Sequence, residues 1–442
     1  MLKTDAFEFF KGFSKLSREE RLQRLFQMGA LDSDDLELLK NAKSLKTDLA
    51  EKFIENVIGY FHMPLGVAMN FRIDGRDYVI PMAVEETSIV AAASKTAKWI
   101  RDSGGIITTA VIGFQIIGQI QIARVKNFSH LKQVISEKQQ DLLELANREV
   151  AAGLVARGGG VNGLSVRSLD RGDGTQMAVI HVFADTCDAM GANIINQVCE
   201  YLKGPIEEFT GETVTMCILS NLVDSKVTRA VVSLPLQDAE LGERLQEASL
   251  FAQLDPYRAA TNNKGVLNGI DPVLLATGND WRAVEAGVHA YAARTGQYRS
   301  ITEWKYADGV LTGVFEAPII VGTVGGVTRL HPTAQMCLKM LGVMSANELS
   351  RIAAAVGLVQ NLGAIRALTT VGIIEGHMKL HIANLTLGAG AQDKEIPIVQ
   401  KRLEEILALR KRISLSNAIE ILRELRQEKK PALAPPPAEQ HS

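Results

Sequence analysis

The sequence predicts an α+β fold: a large, mainly helical domain, interrupted by a smaller α+β insertion and finished by a C-terminal helical segment. Three observations predict it. Helix signals dominate residues 17–103 and return between about Val227 and Leu368. Between Gly104-Gly105 and about Asp224 the chain changes to short strands, helices and turns, punctuated by Gly158-Gly159-Gly160 and Gly172-Asp173-Gly174. From Gly372 onward two compact helical stretches follow, DKEIPIVQKRLEEILALRKRI and SNAIEILRELRQ. The predicted division is 1–108 and 225–371 for the large domain, 109–224 for the insertion and 372–427 for the helical end. Residues 428–442 are Pro-rich and poor in large apolar side chains, the composition of a disordered tail.

The elements follow in order. Ser17-Arg18-Glu19-Glu20 is a capping box, Leu22, Leu25 and Phe26 continue at helical spacing, and Gly29 closes the helix. Arg72 to Pro81 reads as a hairpin turning at Asp74-Gly75. Ser88 to Ser103 is an Ala-rich helix that Gly104 ends. No charged residue lies between Asp102 and Arg124, yet Thr108, Thr109, Gln115, Gln119 and Gln121 interrupt the apolar run and β-branched residues dominate it. The stretch reads as buried strand and not as a membrane span.

The bulk numbers exclude some classes. A chain of 442 residues supports two or three cores. Its 48 basic and 50 acidic side chains leave a formal charge of −2, which argues against a nucleic-acid-binding role. Cys187, Cys199, Cys217 and Cys337 show neither CxxC pairing nor zinc spacing and read as reduced thiols of a cytoplasmic protein. Lys3, Asp5 and Glu8 break any apolar leader, so no signal peptide is expected. His377 and His381 form an i,i+4 pair, but Met378 stands where a zincin helix carries Glu, and no metal site is expected.

The most informative run is Asp255 to Gly287, DPYRAATNNKGVLNGIDPVLLATGNDWRAVEAG. Its Gly and Asn residues predict turns that carry Arg258, Lys264, Asn268 and Asp280, with Lys264 in the loop Asn262-Asn263-Lys264-Gly265. Asp280 is expected to open a helix running from Trp281 to about Arg294. A cation and an anion held on short loops suit stabilisation of an oxyanion. Taken singly, each has a plainer reading: most lysines are solvated surface groups, and an Asp before a helix is commonly just its N-cap. Glu85 and Glu86, at a strand-to-helix junction, could likewise be ordinary first-turn acids, or a pair in which one carboxyl holds its proton near neutrality.

The run closely resembles the catalytic lysine and aspartate region of the 3-hydroxy-3-methylglutaryl-CoA reductases, specifically the class II bacterial type. The resemblance extends from about Asp34 to about Leu425. It implies catalytic roles for Glu86, Lys264, Asp280 and His377, and substrate contacts for Ser88, Arg258 and Asn268. No GxGxxG follows a predicted strand. Instead Asp188-Ala189-Met190-Gly191-Ala192-Asn193 resembles the family's dinucleotide motif, so Asp188, Met190, Gly191, Ala192 and Asn193, with Asn221 of ILSNLVD, are implied to bind NADH or NADPH in a non-Rossmann insertion. Gly191 permits close backbone approach, and the following helix start offers amides to a pyrophosphate. Val150, after Ala146-Asn147-Arg148-Glu149, falls where NADH-using members carry an Asp, so NADPH is not barred. The helical end carrying His377 is implied to be a mobile flap, and Glu55-Asn56-Val57-Ile58-Gly59 a dimer and substrate-site segment. The implied reaction is four-electron reduction of 3-hydroxy-3-methylglutaryl-CoA to mevalonate and CoA, by a homodimer or higher homo-oligomer. Mevalonate oxidation by the same residues, a Lys264 Schiff-base aldolase, or a CoA-binding protein without turnover are the alternatives.

Overall fold

The protein is described by a computed structural model covering residues 6–40, 47–370, 373–410 and 412–428. Two bodies separate, residues 1–369 and 370–442, and each is described by itself.

In the first body, the capping box at Ser17 is present, with Glu20 N–H donating to Ser17 Oγ and Ser17 N–H to Glu20 Oε2. It opens the helix Arg18–Gln27, whose Leu22 and Leu25 are buried. Strands β1 (Leu65–Ile73) and β2 (Arg76–Ala83) form the expected antiparallel hairpin. Its turn residues Asp74 and Gly75 both take positive φ, 50° and 78°, the hand that matches strand twist. The Ala-rich helix, Ile89–Asp102, packs on β1.

Strand β3 (Ile106–Gly113) and strand β4 (Ile116–Ile122) replace the apolar run between Asp102 and Arg124. The expected burial holds for β4 alone. β3 is largely open, because it is the outer strand of an antiparallel sheet ordered β3-β8-β10-β9, where β8 is Lys226–Pro235, β9 Thr302–Ala307 and β10 Val310–Ala317. β4 enters a second sheet, β5-β6-β4-β7, with β5 Gly160–Asp170, β6 Gln176–Asp185 and β7 Met216–Ser220. Its own core joins Ile120, Ile180 and Val182 to Val198 and Leu202 of the helix Ala192–Thr210.

The larger core is organised by the helix Ala346–Thr369. It is long and apolar enough to cross a membrane, but 67% of its most apolar window is buried within the fold. It packs on β8 and on the helices Ile89–Asp102 and Pro256–Ala276. Burial on all sides explains its lack of a polar stripe.

The second body holds three helices, Ile373–Gly388, Ile396–Arg410 and Leu415–Glu428. Ile382, Val399, Leu403, Ala418 and Leu422 form its core, and Arg426 donates to Glu395 at 2.9 Å. The expected tail lies outside the described residues.

Candidate active site

Three of the four predicted site residues in the run Asp255 to Gly287 do not sit on turns. Arg258, Lys264 and Asn268 lie on one helix, Pro256–Ala276, capped by Asp255, whose Oδ1 accepts from Tyr257 N–H. The correction has a physical reason. Asn262 and Asn263, read as loop residues, are buried and satisfied side chain to side chain. Asn262 Nδ2 donates to Ser300 Oγ and Thr302 Oγ1 and its Oδ1 accepts from Asn361, while Asn263 bridges Tyr298 OH, Arg299 O and Ile301 N–H. Gly269 serves contact, not turning: a Cβ there would lie 2.8 Å from Val356 O and 3.0 Å from Gly357 Cα. Intrinsic propensity disfavours this helix, and tertiary packing overrides it.

In the C-terminal half of the helix, beyond Gly265, the non-buried positions are Asn268, Asp271 and Leu275, which continue from Lys264 as one stripe at 3–4-residue spacing. On that stripe Lys264 Nζ bonds Glu86 Oε2 at 3.0 Å. Glu86 comes from the junction between β2 and the Ile89–Asp102 helix, as expected. The lysine and glutamate side chains are 62% and 47% exposed, so their contact contributes little to stability and leaves both groups accessible to a ligand. Next to them Ser88 takes φ 74° without capping its helix by its side chain, a costly conformation for a residue with a Cβ. Arg258 is half-buried with no ion partner among the described residues, and burial pulls its guanidinium below its ordinary value. The Asn268 side chain likewise has no hydrogen-bond partner among them.

Asp280 opens the helix Trp281–Ala292, two residues shorter than expected, by accepting from Ala283 N–H at 3.2 Å. Its Oδ1 also lies 3.2 Å from Arg282 Nη2. These contacts occupy its carboxylate, which makes no bond to Lys264 or Glu86 among the described residues. Its neighbour Asn279 accepts from Gly322 N–H at 2.8 Å, and a Cβ on Gly322 would lie 2.7 Å from Met190 N. The Asp280 turn and the glycine motif are therefore packed through one short loop.

Gly191 stands at the N-cap of Ala192–Thr210 with φ 90° and no side-chain cap, leaving the first-turn amides open as expected. A Cβ there would lie 2.3 Å from Thr186 Cγ2, so only glycine fits. Met190, Ala192 and Asn221 line a small, mainly apolar cavity that opens to solvent. Asn193 is exposed on the first turn. Asp188 is engaged differently from its neighbours: its Oδ1 accepts from Ala346 N–H at 2.9 Å, at the start of the long core helix. An apolar cavity beside unpartnered helix amides suits a flat ring and its phosphates, which fits a dinucleotide.

Ala283, Ile116 and Ile320 also line this cavity. Sequence reading missed them because small or apolar residues carry no chemical signal and are brought together only by the fold. Asn147 of the ANR tripeptide is a clamp, donating to Val161 O and accepting from Val161 N–H, both at 2.8 Å. Arg148 donates to Glu149 at 2.6 Å. His377 falls on the helix Ile373–Gly388, and its side chain lies outside the described residues.

Residues 17–382 match the family model described as hydroxymethylglutaryl-coenzyme A reductase. The 3-hydroxy-3-methylglutaryl-coenzyme A reductase of Archaeoglobus fulgidus is 43% identical over 419 residues, covering 94% of each chain. Among solved structures, the reductase from Streptococcus pneumoniae superposes with a TM-score of 0.80 at 37% identity, covering 94% of this chain and 100% of that one. A class II reductase from the same organism, bound to NADPH in open conformations, gives 0.79 at 38% identity over 82% of this chain and 100% of its own.

Proposed function

The chain belongs to the hydroxymethylglutaryl-coenzyme A reductase family, and from that premise we propose how its residues divide the work. Its reaction is the NAD(P)H-dependent reduction of 3-hydroxy-3-methylglutaryl-CoA to mevalonate and CoA, the reductase step of the mevalonate pathway. The bound reduced nicotinamide supplies a hydride in each of the two steps.

Lys264 holds the oxygen of the thioester carbonyl as it becomes an alkoxide, since a fixed ammonium gains most where charge develops. Glu86 gives the proton that completes the alcohol, and the 3.0 Å Lys264–Glu86 contact is the observation that carries this reading. Asp280 joins them on exchanging its Arg282 contact for Lys264. Arg258, with no carboxylate of its own, receives the acyl group's terminal carboxylate, while Asn268 and Ser88 orient the remainder. The resemblance assigns His377 protonation of the departing CoA thiolate, with 372–427 as a flap over the substrates.

The insertion, 109–224, is proposed as the dinucleotide domain, supported by its separate core and by Gly191. Its motif residues Asp188 and Asn193 complete the set with Met190, Ala192 and Asn221. NADPH is accepted at a rate comparable to NADH, since Val150 is uncharged and Glu149 is engaged by Arg148. A cytoplasmic homodimer is part of the same proposal. Exposed Ile54, Ile58 and Phe61, around Glu55–Gly59, support a partner surface there.

The test is loss of reduced-nicotinamide absorbance on adding 3-hydroxy-3-methylglutaryl-CoA, with NADH and NADPH in parallel and free CoA measured. Coupled loss supports the reading, and the ratio of rates fixes the cofactor. No loss from folded protein, with borohydride trapping a Lys264 adduct, would overturn it in favour of the aldolase.

A further inference from the structure

The stripe that carries Lys264 and Asn268 continues to Asp271, which the reaction above does not use. Asp271 Oδ1 is shut away from solvent with no hydrogen-bond donor in reach. The polar group within hydrogen-bonding reach of its carboxyl is a second carboxyl, Glu285, on the helix Trp281–Ala292. Two carboxylates can only repel, whereas one proton between them turns the pair into a hydrogen bond. The helices joined in this way are the two that matter to the site. One holds Lys264 and Asn268; the other is capped by Asp280, offers Ala283 to the cofactor cavity and seats Gly287 against Asn221 O.

We propose that Asp271 and Glu285 share a single proton and act as a positioning pair, fixing the Lys264 helix against the Asp280 helix. Burial and the adjacent Glu285 push the Asp271 carboxyl up to about 8. Cations nearby along these helices are engaged elsewhere: Lys264 with Glu86 and Arg282 with Asp280. His289, one turn beyond Glu285, bonds Tyr298 OH. Glu285 is the one ionisable group acting on Asp271 among the described residues, including those of β2 and of Ala346–Thr369 that pack on the same helix. Loss of the shared proton would separate the helices and with them Lys264 and Asp280. Neither carboxyl touches substrate, so their effect is on position.

The proposal rests on the reductase reading, and its test has an arm that does not. In infrared titration of the unliganded wild type, the carbonyl band of a protonated carboxyl persists at neutral pH and is lost through about pH 8, and Asp271→Asn removes it. In turnover, wild-type kcat falls over the same range with KM little changed. Asp271→Asn and Glu285→Gln each donate a permanent hydrogen bond, so both keep neutral turnover within about threefold and lose that alkaline limb. A wild type whose carboxyls have all ionised by about pH 6 overturns the proposal, as does an alkaline limb unchanged in both folded variants. Absence of turnover at every pH would sink the reductase reading while leaving the infrared arm to decide the pair.

Discussion

Lys264 Nζ lies 3.0 Å from Glu86 Oε2 across 178 residues of sequence, and both side chains remain open to solvent. An ion pair so exposed has little to give the fold, so its worth lies in what approaches it. Lys264→Ala is expected to lower kcat at least about 10²–10³-fold, the usual cost of removing one group that meets a developing oxyanion. Its urea midpoint should stay that of the wild type. Full activity in this variant would remove the assignment.

The polar knot beneath that lysine carries the stability instead. Asn361 Oδ1 accepts from Trp304 Nε1 and Thr302 Oγ1, and its Nδ2 donates to Asn262 Oδ1, all buried. Asn361→Ala strands Trp304 Nε1 and Asn262 Oδ1, each costing about 1–3 kcal/mol when unsatisfied, while Thr302 Oγ1 keeps Asn262 Nδ2 and Ser300 Oγ. A loss of at least about 2 kcal/mol in urea unfolding is therefore expected. A change under about 1 kcal/mol would show that water or rearrangement replaces the lost bonds.

Gly191→Ala tests the motif by shape. The substitution meets Thr186 at 2.3 Å and must hold φ near 90°, which costs about 1–3 kcal/mol in strain alone. The expected outcome is a raised KM for NAD(P)H beyond that for 3-hydroxy-3-methylglutaryl-CoA. Equal effects on both would point to general loosening of the helix Ala192–Thr210 and the sheet it packs on.

Asp271 also fixes a pH dependence of stability. Its folded-state value, about 8, lies above the ordinary 3.8, so the folded protein holds a proton that the unfolded chain releases. Its contribution is therefore fully present below about pH 4, declines as pH rises and is gone above about 8. Melting temperature measured from pH 5 to 9 should fall more steeply for wild type than for Asp271→Asn. Parallel curves would mean that the carboxyl ionises normally.

Much of this was legible in sequence wherever local chemistry and tertiary structure agree. The Ser17 capping box, the Asp74-Gly75 turn, the Asp280 N-cap and the Gly191 helix start all stand where their residue types put them. The Lys264 helix was not legible, because Asn262, Asn263, Gly265, Gly269 and Pro272 each read locally as breakers. Their partners, Thr302, Gln360 and Asn361, lie far along the chain. The Asp271–Glu285 contact was invisible for the same reason: two acids on separate helices look like ordinary surface charge. Asp188 went the other way, since a motif residue turned out to hold the start of the core helix.

The close crossing at Gly269 and Gly357 bears on any attempt to redesign substrate choice. A Cβ on Gly357 would lie 2.7 Å from Ile270 Cγ1, and one on Gly269 would lie 2.9 Å from Gln360 Cβ. Residues 258–271 and 353–361 are thus a single mutational unit split between two stretches of chain. A library diversified in the first stretch alone would be culled by misfolding before specificity is ever sampled, while paired diversification of both would let new pockets survive.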